Sequence, residues 1–235
     1  MDIQEIKEKF KKPIEDPFFN KYFTRPIAYY ASWPFIMLRI PAWAVTVSTI
    51  IIGVVACFFF TQGSFLTGAL LGHLRNIIDH IDGVVARALG TAGPRGKYLD
   101  RVAQYVSNPL IFAGIALGVY TSKEYMLPLV AGFSASLGQL WMHYFMAERG
   151  NVLHEEGTIN KGMSIPVASS QPGFLSALKY FHDKTGFLFR DPALLNVILL
   201  AALANQIEMA LLFYGIAMPI LAFGTLAHEY VAFYR

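Results

Sequence analysis

Apolar runs separated by short polar or glycine-containing connections dominate the chain from residue 42 onward. A helix needs about 20 predominantly apolar residues to cross a bilayer, and most of these runs reach that length. The predicted spans are Ala42 to Phe60, Ser64 to Leu89, Gly96 to Tyr120, Tyr125 to Met146, Pro192 to Asn205 and Glu208 to Tyr230. The fifth is the shortest. The pattern predicts an all-α integral membrane protein with six transmembrane helices in residues 41–235.

The pattern changes before the first span, in residues 1–40. The segment from Asp16 to Leu38 mixes many aromatic side chains with Lys21 and Arg25, a composition typical of a helix that lies in the membrane interface. The alternative is a seventh helix packed tightly against the bundle. We predict an N-terminal interfacial amphipathic helix.

The composition agrees with a membrane protein. Hydrophobic residues make up 55% of the chain, charged residues make up 15%, and the mean hydropathy is +0.44. These values are too apolar for an ordinary soluble domain, and no nucleic-acid partner is expected. Because Cys57 is the only cysteine, no intrachain disulfide can form. The charged N-terminal residues lack the apolar core of a cleavable signal peptide.

Positive charges are concentrated in every second connection between the predicted spans, which lies on one side of the membrane. Lys and Arg precede the first span, surround the second turn and flank the connection at 148–191, whereas the connections at 61–63, 121–124 and 205–206 carry a single Lys. The positive-inside rule therefore predicts that both termini and the connection at 148–191 are cytoplasmic. A prokaryotic inner membrane is the simplest location. Long connections act as functional lids or as linkers, and the sequence leaves both open.

Three carboxylates interrupt two of the apolar segments. Asp79 and Asp82 share one face of the second predicted helix because residues three apart are neighbours. The turn before the next helix makes the two helices antiparallel, so Asp100 is expected at a similar depth. An ionised Asp inside a bilayer costs roughly 2.5–3.5 kcal/mol, and a divalent cation would compensate three of them. Carboxylate oxygens are preferred ligands of Mg²⁺, Mn²⁺ and Ca²⁺.

Small and basic residues continue the same helix face. Gly83 and Ala86 remove side-chain volume, which allows a ligand or a neighbouring helix to approach closely. Arg87 offers a planar set of donors that suits phosphate. Arg75, four residues before Asp79, is expected to form a structural ion pair with that carboxylate.

These residues resemble the CDP-alcohol phosphotransferase family, whose motif reads D-x-x-D-G-x-x-A-R, a spacer, and then G-x-x-x-D-x-x-x-D. Seven of its eight fixed positions are present: Asp79, Asp82, Gly83, Ala86, Arg87, Gly96 and Asp100. Gln104 occupies the eighth position, where the family has Asp. The resemblance implies a fold of six membrane-spanning helices, which fits most of the chain.

The resemblance also implies an activity: transfer of a phosphatidyl or related phospho-alcohol group from CDP-diacylglycerol to a small polyol or polyol phosphate, with release of CMP. A soluble CDP-alcohol donor with diacylglycerol as the acceptor would use the same residues. By this resemblance, Asp79, Asp82 and Asp100 bind Mg²⁺ or Mn²⁺ and act with position 104 in catalysis. The nucleotide-binding positions are Gly83, Ala86, Arg87 and Gly96, and a homodimer in the lipid membrane is expected.

Gln104 separates this chain from the family motif, because a neutral amide cannot accept the proton of the attacking hydroxyl. Three alternatives stay open for that proton: His80, hydroxide on a metal ion, or the phosphate of the acceptor. His80 follows Asp79 directly, so helix geometry turns it about 100° from the aspartate face. If none of these groups accepts the proton, the alternative is a catalytically silent relative that binds metal and CDP-lipid. A small transporter is a weaker alternative, since intramembrane carboxylates also mark transport paths.

Arg149 and Arg190 are the candidates for binding a phosphate on the acceptor. They lie at the cytoplasmic end of the fourth predicted span and at the start of the fifth. Both are equally consistent with cytoplasmic anchors of the positive-inside type.

Overall fold

The computed structural model describes residues 19–155, 189 and 192–233, without the side chains of residues 146, 149–155 and 227–233. A π-helical turn, Asn20–Thr24, leads directly into the first helix. The helices are α1 (Arg25–Met37), α2 (Ala42–Thr61), α3 (Phe65–Ala88), α4 (Pro94–Lys123), α5 (Leu127–Glu155), α6 (Ala193–Leu203) and α7 (Ile207–Phe233). The described residues contain no β-strand, so the predicted all-α class is confirmed for them.

One predicted boundary is wrong. Helix α5 continues past Met146 to Glu155, so the connection predicted for residues 148–191 begins later than expected. The helix continues through Gly150 because an isolated glycine costs a helix interior only about 1 kcal/mol relative to alanine. Residues 156–188, which make up most of the predicted connection, lie outside the described part of the chain.

Two glycine-containing turns set the order of the helices that carry the motif. Gly63 after α2 and Gly90 after α3 have φ angles of +74° and +67°, a left-handed conformation that glycine adopts without steric cost. At the second turn the N–H of Thr91 donates to the carbonyl oxygen of Ala86 at 2.8 Å, which is the hydrogen bond of a Schellman motif. Because each turn is short and reverses the chain, α3 is antiparallel to α2 and to α4.

The main hydrophobic core lies between helices α2 to α7. Phe112 of α4 packs against Tyr214 of α7 with ring centroids 5.5 Å apart, and Phe189 meets the same tyrosine edge-on at 5.7 Å. All three side chains are almost fully buried. Aromatic pairs of this geometry contribute about 0.5–1.5 kcal/mol beyond burial, so this cluster anchors α7 against α4.

A second, smaller core holds α1 against α3. The buried residues on α1 are Ala28, Tyr29 and Ile36, and they pack with Val45 of α2 and with Ile81, Val84 and Val85 of α3. The opposite face of α1 exposes Ile27, Tyr30 and Trp33. The helix is therefore two-faced, with one face packed on the bundle, and its position in the membrane interface stays a prediction.

Glycines allow close approach where the long helices cross. A Cβ atom at Gly114 of α4 would lie 2.8 Å from the carbonyl oxygen of Cys57, and one at Gly118 would collide with the carbonyl oxygen of Phe60. A Cβ atom at Gly215 of α7 would lie 2.8 Å from the backbone of Ala131. Small residues at such crossings are typical of helix packing in membranes, where backbone contact replaces the hydrophobic effect.

The outside of the bundle is apolar. Large side chains with about half or more of their surface exposed include Ile51, Phe58, Phe133, Leu200, Ile216 and Phe223. A soluble monomer rarely exposes extended apolar surface of this kind. Within the described residues, three helices are long and apolar enough to cross a membrane, namely Ala42–Thr61, Pro94–Lys123 and Ile207–Leu226.

We expect Gly118→Ala to lower the melting temperature in detergent by roughly 2–10 °C, because the new methyl group forces α2 and α4 apart. Gly72→Ala is the matched control: it is also a buried helix-interior glycine, but its Cβ atom would meet only the flexible end of Leu195 at 3.1 Å. Thermal unfolding of both variants measures the difference. Equal melting temperatures would show that the α2–α4 crossing is not limited by backbone contact.

Candidate active site

The three aspartates converge as the spacing predicts. Asp79 and Asp82 come from α3 and Asp100 comes from α4, and one carboxylate oxygen of each lies within 4.8 Å of the others. Asp82 is buried, and the other two are half-buried. The antiparallel turn between α3 and α4 produces this meeting, because it places the C-terminal part of one helix beside the N-terminal part of the next.

A cavity of about 350 Å³ lies against these carboxylates. All eight positions of the sequence motif line it: Asp79, Asp82, Gly83, Ala86, Arg87, Gly96, Asp100 and Gln104. Residues outside the motif complete the wall, among them Arg25 and Tyr29 of α1, Trp43 and Thr46 of α2, and Lys97 of α4. One concave site therefore collects acidic, basic and aromatic groups from four helices.

Helix α2 orients one of the carboxylates. The hydroxyl group of Thr46 donates to Oδ2 of Asp82 at 2.6 Å, and both residues are buried. A hydrogen bond to a charged oxygen is shorter and stronger than a neutral one. The same hydroxyl oxygen lies 3.1 Å from the carbonyl oxygen of Ala42, but its single proton serves the closer, charged partner. Thr46 thus fixes the direction in which Asp82 points.

Gln104 acts on a second carboxylate. Its Nε2 donates to Oδ1 of Asp100 at 3.0 Å, one helical turn away on α4. The position that is acidic in the family motif therefore carries a hydrogen-bond donor to its neighbour. The site therefore has three carboxylates instead of four, and one of the three accepts a hydrogen bond from the amide.

The three carboxylates are suitable ligands for a divalent cation. At an effective dielectric constant of 20, two carboxylates separated by less than 5 Å repel each other by roughly 3 kcal/mol or more. Two neutral donors, Thr46 and Gln104, offset only part of this repulsion. Oxygen ligands on rigid helices are the coordination that Mg²⁺ and Mn²⁺ prefer. Asp79, Asp82 and Asp100 are accordingly the residues that could hold such an ion.

Arg87 folds back over Gly83 toward the aspartates. A Cβ atom at Gly83 would lie 3.3 Å from Nη1 of Arg87, so the guanidinium group occupies the space that the glycine leaves open. Long helical side chains point toward the N-terminus of their helix, which here is the direction of Asp82. The glycine thus brings a positive group beside the acidic cluster.

His80 lies in the cavity wall although helix geometry turns it away from the aspartate face. Its Nδ1 is 2.8 Å from the carbonyl oxygen of Asn76. Since a carbonyl oxygen only accepts, Nδ1 carries the proton in this contact, and a neutral ring then has an unprotonated Nε2. The ring is therefore held in one tautomer at the edge of the site.

Other candidates lie elsewhere. Arg75 is buried beside Gly53 and Ser107 and does not line the cavity, and its predicted pairing with Asp79 stays a prediction. Arg190 and the side chain of Arg149 lie outside the described part of the chain. Arg25 and Thr46 were not predicted as site residues, because the faces of α1 and α2 that pack against α3 are set by contacts between distant parts of the chain.

Comparison with known proteins agrees with the motif. Residues 39–221 match the family model described as CDP-alcohol phosphatidyltransferase. A bifunctional IPC transferase and DIPP synthase from Rubrobacter xylanophilus is 35% identical over 85 residues, covering 36% of this chain and 19% of the relative. An archaetidylinositol phosphate synthase from Methanothermobacter thermautotrophicus is 29% identical over 110 residues, covering 47% of this chain and 53% of the relative. The chain thus matches about half or less of the length of these curated relatives.

We expect Thr46→Val to weaken divalent-ion binding roughly 10–100-fold, because removing the group that orients a metal-binding carboxylate has an effect of this size. Thr46→Ser is the matched control and keeps the hydroxyl donor. Titration with Mn²⁺, followed by electron paramagnetic resonance or by thermal stabilisation, measures the affinity. Wild-type affinity in the valine variant would show that Asp82 needs no orientation by α2.

Proposed function

Because the chain belongs to the CDP-alcohol phosphatidyltransferase family, we propose that it transfers a phosphatidyl group from CDP-diacylglycerol to a hydroxyl group of a small polyol or polyol phosphate. CMP is the second product, and the reaction serves phospholipid synthesis. The observation that carries this proposal is the convergence of all eight motif positions on one cavity, with three carboxylates within 4.8 Å. The relative named archaetidylinositol phosphate synthase favours a phosphorylated polyol as the acceptor.

In this reaction the acceptor oxygen forms a bond to the phosphorus that carries the lipid alcohol. The anhydride bond to the CMP phosphate breaks, and CMP leaves with the electron pair. A divalent ion bound to Asp79, Asp82 and Asp100 would neutralise the negative charge of the diphosphate. Arg87 donates hydrogen bonds to the same diphosphate, while Gly83 and Ala86 leave room for the nucleotide.

The proton of the acceptor hydroxyl cannot go to Gln104, whose amide donates to Asp100. Nε2 of His80 and the phosphate of the acceptor are two proton acceptors that this site offers without a fourth aspartate, and hydroxide on a bound ion would be the third. Gln104 acts instead as a positioning residue that keeps one oxygen of Asp100 in place.

We propose that helices α2 to α7 form the six spans. Helix α3 has 24 residues, or about 36 Å at 1.5 Å per residue, and it joins two span-capable helices, α2 and α4, through short turns. It must therefore return across the membrane between them. The 11 residues of α6 account for only about 16 Å, so this is the shortest crossing.

The orientation and assembly belong to the same proposal. The cavity lies where α3 ends and α4 begins, beside Arg87, Arg95, Lys97 and Arg101. By the positive-inside rule we expect the cavity to face the cytoplasm, and we propose a prokaryotic inner membrane as the location. We expect a homodimer.

The activity is tested by CMP release from CDP-diacylglycerol with a panel of polyols and polyol phosphates, with and without Mg²⁺ or Mn²⁺. We expect metal-dependent CMP release from the unmodified protein and a loss of about a hundredfold or more in Asp82→Asn, since removing one electrostatic contact to the transition state has effects of this size. Glu208→Gln is the control, because this carboxylate pairs with Lys123 outside the cavity. An equal loss in both variants, or no CMP with any acceptor, would contradict the proposal.

A catalytically silent relative is the second candidate, and Gln104 is the observation that favours it. Gln104→Asp restores the family motif, and Gln104→Asn is a control of the same size without the charge. If the unmodified protein is an enzyme, we expect CMP release from it and from both Gln104 variants. The rate of CMP release by the aspartate variant should then be about tenfold or more higher, because this variant regains a general base. CMP from the aspartate variant alone would identify a binding protein that has lost its base.

A transporter is less well supported. Transport sites lie near the middle of the membrane, whereas this cavity lies toward one end of α3 and α4. Metal-dependent solute uptake into proteoliposomes, without CMP release, would favour the transporter instead.

A further inference from the structure

Two guanidinium groups from different helices face the same cavity. Arg25 is the first residue of α1, Arg87 lies near the end of α3, and both line the cavity beside the carboxylates. The positive charges of the two side chains act on each other. Like charges held together in a partly buried site repel each other, and an anion between them removes that repulsion.

Arg25 lies on the packed face of α1. The residues of that face lie at the helical positions i, i+3, i+4, i+7 and i+11: Arg25, Ala28, Tyr29, Ser32 and Ile36. A basic residue that only anchored an interfacial helix would lie on its polar, outer side. Here the outer side carries Ile27, Tyr30 and Trp33 instead. The packing of α1 therefore places Arg25 at the cavity and not on the outer side of the helix.

The position of Arg25 is fixed by packing. Ala28 and Tyr29, one turn after Arg25, belong to the small hydrophobic core that α1 shares with α3. Tyr29 also lines the cavity. A binding group carried by a packed helix is held more accurately than one carried by a loop.

Once a cation is bound, the charges of the cavity balance only if an anion is bound with it. Arg25, Arg87 and Lys97 oppose Asp79, Asp82 and Asp100, so the wall has no formal net charge. A divalent cation on the carboxylates leaves two positive charges, and a nucleoside diphosphate ester or a phosphate monoester brings two negative ones. The planar donor set of arginine matches phosphate oxygens well.

We propose that Arg25 and Arg87 together bind a phosphate group of the substrate, so that helix α1 is part of the active site. Arg25 precedes the residues matched by the family, 39–221. This inference rests on the proposed function and adds a residue and a helix to its substrate-binding site. The phosphate belongs either to the cytidine diphosphate of the donor or to the acceptor.

Binding measurements test the inference without turnover. Calorimetry in detergent with Mg²⁺ compares CDP, cytidine and inositol phosphate as probes. We expect Arg25→Ala to weaken binding of one phosphorylated probe roughly 10–100-fold and to leave cytidine binding unchanged. Loss for CDP assigns the phosphate to the donor, and loss for inositol phosphate assigns it to the acceptor. Arg25→Lys keeps the charge and the side-chain stem, and we expect an intermediate affinity.

Lys21→Ala is the matched control, because it removes one positive charge from the turn before α1 at an exposed position outside the cavity. If Arg25→Ala fails to fold, Arg25→Lys and Arg25→Gln carry the comparison. If Arg25→Ala binds both phosphorylated probes as tightly as Lys21→Ala does, the inference is overturned and the transferase proposal remains intact. Failure of the unmodified protein to bind either phosphorylated probe would overturn the inference, whereas CMP release tests the function separately.

Discussion

The active-site end of this protein is constrained by three carboxylates that are held close together inside an apolar bundle. Asp79, Asp82 and Asp100 bring their oxygens within 4.8 Å at one end of an otherwise apolar bundle. The neighbouring residues reduce the cost in different ways: Thr46 and Gln104 donate hydrogen bonds, and Arg87 brings a positive charge close by. The cluster still has the charge and the oxygen ligands that favour a cation. Its composition is that of a binding site, and it is costly as a purely structural feature.

The apolar part of the bundle serves this cluster by keeping the helices in place. Left-handed glycines at positions 63 and 90 reverse the chain tightly, which makes α3 and α4 antiparallel and sets the depth at which their aspartates meet. Glycines at the crossings of α4 with α2 then bring the backbones into contact. Because helix interiors packed in this way move little, the distance between the carboxylates depends on packing several turns away from them.

The sequence predicted the helices and the acidic cluster well, and both successes have a physical reason. Apolar runs of membrane length are long, strong signals, and helix periodicity together with one short turn is enough to bring Asp79, Asp82 and Asp100 together. The extension of α5 to Glu155 was missed because glycine is a weak helix breaker in a long helix. The roles of Arg25 and Thr46 depend on which faces of α1 and α2 pack against α3, and that information resides in contacts between distant parts of the chain.

The hydrogen bond from Gln104 to Asp100 bears on how an ion and a substrate would affect each other's binding. One oxygen of that carboxylate is engaged by the amide, so fewer protein oxygens are available to a cation than in a site with four aspartates. Oxygens of a bound substrate would then supply the missing ligands of such an ion. Ion and nucleotide binding would be thermodynamically coupled, each raising the affinity of the other by the same factor. A bundle with one carboxylate fewer would therefore bind its ion tightly only when the substrate is present.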